Sequence, residues 1–260
     1  LSMGEHTLTL TGGGILSNTN FLTLENASSV LNVTGPNTVS GPIALTAGTL
    51  DIDEDSAISG AIVQGGSASI DVAQEKTLTY SGEAMSLGAH TLTITGGGSI
   101  SSTNALVLDN ADSQLTITGS SVLSGAQVTT ALTTGIVISE SSTITTLTLV
   151  DKTPVSIAAD KTLSGTVVVN SGGTLQLTGS GSLASALTLN GGTLDIDQTL
   201  TIAGAVTHIA SSTIDVALDK TMTYQGLSLS LGVNTLTISG SGTLLNTNAL
   251  VLGDPASVLK

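Results

Sequence analysis

Apolar residues along this chain fall in a repeating x-φ-x-φ pattern, where φ is Leu, Ile or Val. The pairs are Leu8/Leu10, Leu31/Val33, Leu50/Ile52, Ile70/Val72, Leu92/Ile94, Leu115/Ile117, Ile136/Ile138, Val155/Ile157, Leu175/Leu177, Leu194/Ile196, Ile214/Val216 and Leu236/Ile238. Successive units start 23, 19, 20, 22, 23, 21, 19, 20, 19, 20 and 22 residues apart. Six residues after the second φ comes another apolar residue in all twelve units: Leu16, Val39, Ile58, Leu78, Ile100, Leu123, Ile144, Leu163, Leu183, Ile202, Met222 and Leu244. A third apolar patch closes most units, as in Leu22/Leu24, Ile43/Leu45, Leu187/Leu189 and Leu250/Leu252.

Alternation with a period of two is the mark of a strand. The fillers are often Thr, Ser and Val, of which Thr and Val suit strands. Turn residues punctuate the units, as in Gly35-Pro36-Asn37 and Asn170-Ser171-Gly172-Gly173. No stretch keeps a 3.6-residue apolar period, so essentially no helix is expected. Three short strands cannot enclose a core alone, but stacked copies can. The pattern predicts an all-β, right-handed parallel β-helix: about twelve coils of 19–23 residues, with three short strands per coil. At ~4.8 Å per coil the rod would be roughly 58 Å long.

Longer repeats agree. Residues 3–41 align without gaps on 87–125, and 49–116 on 193–260, offsets of 84 and 144 residues. Both offsets are whole numbers of coils, which predicts inward columns that stay in register at every junction. The chain opens mid-unit and stops where its aligned copies enter a further coil, with no polar cap at either end. Residues 1–260 therefore read as one solenoid segment whose nearest partners are flanking coils of a longer parent.

Composition narrows function. There are 19 acidic residues and 5 lysines, no arginine, and a formal charge of −14, with aromatics at 1%. Phosphate-backbone binding needs cations to displace counterions, so nucleic acid is excluded as a partner. The same charge opposes an anionic membrane surface, and no apolar run approaches the ~18 residues of a membrane helix. With no Cys there are no disulfides, Cys-zinc sites or thiol catalysis.

Residues 33–50, with Thr34-Gly35-Pro36-Asn37-Thr38 and Ala47-Gly48-Thr49-Leu50, resemble the autotransporter-associated β-strand repeat. So does 163–196, with its two Gly-Gly-Thr-Leu turns at 172–175 and 191–194. More broadly the chain is similar to β-helical passengers of autotransporters and filamentous-haemagglutinin-type adhesins. The resemblance implies export to a bacterial cell surface and a stalk or adhesive role, and brings no catalytic residues with it.

Candidate chemistry is sparse. Asp51, Asp53 and Asp55 alternate, Asp71 repeats Asp51 one coil on, and the pattern returns as Asp195, Asp197 and Asp215. Outward carboxylates on stacked strands could hold a hard cation such as Ca²⁺. They serve equally as a solvated face that discourages edge pairing. The third glycine of the Gly-Gly-x-Gly-x-Asp calcium repeat is missing at Gly191-Gly192-Thr193-Leu194-Asp195, so no metal or other cofactor is expected. Four lysines follow an acid directly, at Glu75-Lys76, Asp151-Lys152, Asp160-Lys161 and Asp219-Lys220. These are Lys–carboxylate dyads or, more simply, charged turns. His6 and His90 share a coil position four coils apart and cannot share a metal. Tyr80 and Tyr224, and Asn20, Asn104 and Asn248, recur as repeat positions and read as corner residues.

β-Helical polysaccharide lyases resemble each other in using an arginine or lysine base beside calcium-binding acids, and the pectin hydrolases in an Asn-Thr-Asp, Asp-Asp and Gly-His-Gly set; this chain has no Arg, no Asp-Asp and no Gly-His-Gly, so no enzyme is expected. Thr-x-Thr pairs at Thr7/Thr9, Thr91/Thr93 and Thr235/Thr237 suggest an ice-binding array, but Asn32, Asp51, Asp71 and Gln176 interrupt the column. The reading is a rigid secreted stalk or fibre. The alternative is a module binding a glycan, a host surface or ice on its faces or longer turns. A carbohydrate-active enzyme comes third.

Overall fold

The structure is a computed structural model and describes residues 1–132 and 135–260. No described residue lies in a helix. The strands pair in parallel with equivalents in neighbouring turns, without a break on the first and second faces, while the third face is interrupted between Ile62–Gln64 and Met85–Ser86 and between Val206–Ala210 and Leu229–Ser230; the rod is a β-solenoid. Its coils are numbered 1–12 here from the starts Thr7, Val30, Thr49, Ser69, Thr91, Gln114, Gly135, Pro154, Thr174, Thr193, Thr213 and Thr235.

Each coil turns through three faces. The first face is a 13-stranded sheet running from Thr7–Leu10 to Thr235–Gly240, and Val258–Leu259 opens a thirteenth coil upon it. The second face carries the six-step residues, from Ile15–Leu16 to Thr243–Asn246. The third face begins at Leu22–Leu24 and ends at Leu250–Val251. In coils 6, 7 and 8 single strands, Val122–Leu132, Ser142–Leu149 and Thr162–Asn170, run unbroken from the second face to the third.

The core follows the alternation. From coil 2 to coil 11 every first-face φ is at most 2% exposed. Nine of the twelve six-step residues are buried, and Leu16, Ile100 and Leu244 pack half-buried against them. Each fully buried Leu or Ile contributes about 1.5–3 kcal/mol of transfer free energy. Because each coil covers only its neighbours, that stabilisation is a sum along the stack.

The columns do not stay in register at every junction. On the second face Ile58 lies opposite Tyr80, Ile144 opposite Gly165 and Ile202 opposite Tyr224, each two residues beyond the six-step residue of the next coil. One coil later the first face makes the same two-residue shift, pairing Ile70 with Ile94, Val155 with Leu177 and Ile214 with Ile238. A shift of two preserves which side chains face inward, so the hydrophobic pattern cannot reveal it.

The stepped coils are 4, 8 and 11, and they share a turn: Ala73-Gln74-Glu75-Lys76, Ala158-Ala159-Asp160-Lys161 and Ala217-Leu218-Asp219-Lys220. Its acid sits in the left-handed region, with φ of 64° at Glu75, 60° at Asp160 and 60° at Asp219, and these are the only non-glycine residues with positive φ among those described. The lysine N–H closes the turn on the alanine carbonyl at 3.0–3.1 Å. The coil above accommodates the step with Gly-x-Gly: Gly96/Gly98, Gly179/Gly181 and Gly240/Gly242. A Cβ at Gly98, Gly181 or Gly242 would lie 2.3–2.4 Å from the carbonyl oxygen of Ala73, Ala158 or Ala217.

Two outcomes follow for stability. Ile144→Asp, which buries an unpaired charge mid-stack, lowers stability by about 4 kcal/mol or more in denaturant titrations. Gly181→Ala lowers the melting temperature, whereas Gly13→Ala, whose nearest neighbour would be Pro36 Cγ at 3.7 Å, leaves it within error.

Candidate functional site

The acidic pattern forms two ladders on the outer side of the first face. Asn32, Asp51, Asp71 and Thr95 stand in one column. Gln176, Asp195, Asp215 and Ser239 stand in the other. Strand alternation aims these side chains outward, and parallel pairing sets them one coil apart, about 4.8 Å. Asp53 and Asp197 lie just past the strand ends, Asp53 exposed and Asp197 half-buried. Burial, then repulsion from Asp53 and Asp71, pushes the Asp51 carboxyl above its ordinary value. Asp195 is raised likewise by burial and by Asp197, against the pull of Lys152, whose Nζ lies 3.6 Å away.

Strand alternation sends the ladder carboxylates outward side by side, and hydrogen bonds from neighbours take up Asp215 of the second ladder and the flanking Asp197 and Asp55. Gln176 donates to Asp197 Oδ2 at 2.6 Å, Ser239 to Asp215 Oδ1 at 2.5 Å and the Thr77 N–H to Asp55 Oδ1 at 2.7 Å. Among the described residues no three His, Asp or Glu side chains are placed to hold one metal ion.

The lysines sit in charged turns; the Lys152 N–H donates to Asp151 Oδ1 at 2.7 Å, but the ammonium groups reach beyond the acids beside them. Lys76 Nζ reaches Glu54 at 2.6 Å and Lys161 Nζ reaches Glu140 at 2.7 Å, each in the coil below, and Lys220 reaches Gln198 Oε1 at 3.5 Å. The bond to Glu54 raises the Lys76 pKa. The sequence signal was available: Glu54, Glu140 and Gln198 all stand two residues after a second φ.

Histidines are not brought together. His6 and His90 take equivalent corners, their carbonyls accepting from Val30 and Gln114. His208 lies instead inside the third face, in line with Leu189, buried and with no hydrogen bond to either ring nitrogen. Burial pulls its pKa below the ordinary value, and the nearby Ala210 backbone offsets only part of that. Its counterpart one long repeat earlier is Gln64, which donates to the Thr91 carbonyl at 3.0 Å.

Tyr80 and Tyr224 close corners: each hydroxyl accepts from Ile62 or Val206 N–H, at 3.0 and 3.1 Å, and donates to Glu83 or Leu227 carbonyl at 2.7 Å. Burial is the main reason the Tyr80 phenol is raised. Asn104 and Asn248 donate to the Gly82 and Gly226 carbonyls below them, and Asn20 holds the same place in coil 1.

The register steps also rearrange the hydroxyl columns. Thr49, Ser69, Thr93 and Thr116 stack without interruption, as do Thr174, Thr193, Thr213 and Thr237. Asp51 and Asp71 therefore flank the first hydroxyl column instead of breaking it. Sequence spacing alone had merged the two columns.

Compared with protein families, curated proteins and solved structures, the chain matches none.

The raised Asp51 fixes the sign of a pH effect. A carboxyl whose folded pKa exceeds its unfolded one favours the fold fully at low pH and loses that contribution as pH rises through the folded value. Asp51→Asn therefore raises the melting temperature at pH 7, and the gain disappears below about pH 4, the unfolded aspartate range. Calcium titrated calorimetrically into the protein gives no saturable heat. Micromolar binding abolished by Asp51→Asn with Asp71→Asn would show that the first ladder is a calcium site.

Proposed function

We propose that this segment is a non-enzymatic rigid spacer: a piece of a secreted stalk or fibre at a bacterial cell surface, whose useful property is its length. The observation that carries the reading is the unbroken parallel pairing of the first face across every coil, steps included. A rod in which each coil is clamped to the next on at least two faces resists bending and can hold a distal tip away from its base. The likeness of 33–50 and 163–196 to the autotransporter-associated repeat supports the cellular setting.

Coil removal tests the reading. Deleting residues 135–192 takes out coils 7, 8 and 9 and joins equivalent strand starts, Gly135 and Thr193. A stepped coil and the Gly-x-Gly coil that accommodates it leave together, so the shortened rod folds and loses roughly 14 Å in small-angle scattering. Attachment through a distal tip falls only by that reach. Deleting Pro154–Gly173 alone leaves Gly179 and Gly181 above an unstepped coil and lowers the melting temperature sharply. Tight binding of a glycan by the purified segment would overturn the spacer reading.

The two hydroxyl ladders favour a second reading, a binding face for a flat hydroxyl-rich surface such as a glycan fibre or ice. In that case adsorption is lost in the Thr193→Lys, Thr213→Lys double variant while the melting temperature holds.

A further inference from the structure

We infer that His208 makes the junction between coils 10 and 11 an acid-sensitive joint: protonation of one buried imidazole releases the third-face segment Val206–Ala210 while the other two faces hold the rod together. The inference holds whether the rod acts as a spacer or as a binding face.

The two breaks in the third face lie at equivalent places one long repeat apart. Ile62–Gln64 has no strand partner in coil 4, and Val206–Ala210 has none in coil 11. Each break accompanies a register step on the second face, at Tyr80 and at Tyr224. The tyrosine hydroxyl takes the N–H of Ile62 or Val206 in place of a ladder carbonyl. The step at coil 8 has no tyrosine, and there Ser142–Leu149 and Thr162–Asn170 stay paired on the third face. The upper edge of Val206–Ala210 is therefore held by one phenol and by Asn234 Nδ2, which donates to the His208 carbonyl at 3.5 Å. Its lower edge is irregular too. Leu189 pairs with His208 but Asn190 pairs with Ala210, so Ile209 is bulged and 55% exposed.

One side chain distinguishes the two breaks. Gln64 is buried, donates to the Thr91 carbonyl at 3.0 Å and gains no charge in acid. His208, in the same place, is buried with both ring nitrogens unpaired. Leu189 lies directly below it, and the buried Leu229 and Leu231 belong to the coil above. Among the described residues no acid faces it. The flanking strands Ala186–Asn190 and Leu229–Ser230 carry no charged residue. Across the core, Asp195 and Asp215 alternate outward from the first face. Asp197, Asp219 and Lys220 lie at the opposite corner, between the first and second faces, and the Tyr224 hydroxyl is taken up by Val206 and Leu227. Burial is the main cause of the lowered His208 pKa, and no charged group adds to it.

An imidazolium in this place has two N–H donors without acceptors and a charge without a counter-ion. It regains water by carrying its segment outward, the direction in which no ladder bond resists. The neutral ring favours the closed joint fully above about pH 6.5, the unfolded histidine value, and that contribution is lost as pH falls toward the lower folded value. The raised Asp195 carboxyl acts in the opposite sense, because its protonation favours the fold.

Amide exchange on the whole chain, corrected for the intrinsic rate, tests the joint. As pH falls from about 7.5 to about 5, exchange at Val206 rises by up to about tenfold per pH unit. Ile62, bonded to Tyr80 at the equivalent break, and the first-face strand Ser212–Val216 keep their protection. His208→Gln, which copies the first break, and His208→Leu, which copies the residue below, each remove the response at Val206. His6→Gln with His90→Gln leaves it in place. By NMR the His208 ring titrates below about pH 6.5. The inference is overturned if Val206 and Ile62 respond alike, if Ser212–Val216 opens together with Val206, if the response survives either His208 variant, or if the ring titrates at or above the ordinary value.

Discussion

Everything in this rod depends on the two-residue alternation of a strand. Each coil must present Leu, Ile or Val inward on the first face, or the coils above and below lose their cover. A slip of one residue would turn a whole column out to water, while a slip of two costs only its ends. The molecule uses that tolerance three times. At each step the turn carries an acid in a left-handed conformation, and the next coil supplies glycines where backbone comes too close for any side chain.

The same constraint explains what could be read in the sequence. The inward columns were legible because Leu50 over Leu31, or Ile196 over Leu177, needs only a parity and a spacing. The steps were not, because Ile70 pairs as well with Ile94 as with Leu92 when both point inward. Their local signal lay in Glu75, Asp160 and Asp219, which looked like ordinary charged turns beside their lysines. Only the recurrence of Gly-x-Gly in the following coil distinguishes them, and that is a relation across some twenty residues.

The surface was legible in type but not in arrangement. Asp51 and Asp71 were read correctly as neighbours on one column, since no step separates them. The hydroxyl columns were misassigned because the steps at Ile70/Ile94 and Val155/Leu177 move a residue to the adjacent column. Lys76 and Lys161 were paired with the nearest acid in sequence, whereas a solenoid makes residue i and residue i+22 or i+21 nearer neighbours for bonding. His208 gave one hint, its place at an inward position of the third face, and nothing in composition shows that both its nitrogens go unpaired.

The order of coil types behaves like a reading frame. From coil 1 to coil 4, and again from 5 to 8, the residues two and four beyond the second φ run Gly/Gly, Gly/(Asn or Ser), Glu/Ser and then the stepped turn; coils 9 to 11 run Gly/Gly, Gln/Leu and then the stepped turn. A recombination between two copies of such a gene keeps the register when a stepped coil at the seam still meets a Gly-x-Gly coil. A junction that parts a stepped coil from its Gly-x-Gly coil leaves a mismatch of two residues, about 6.6 Å of strand. Exchange between like coils would therefore change the length of such a rod without changing its phase, and coil 9 meets coil 10 in register although no Gly/(Asn or Ser) coil stands between them.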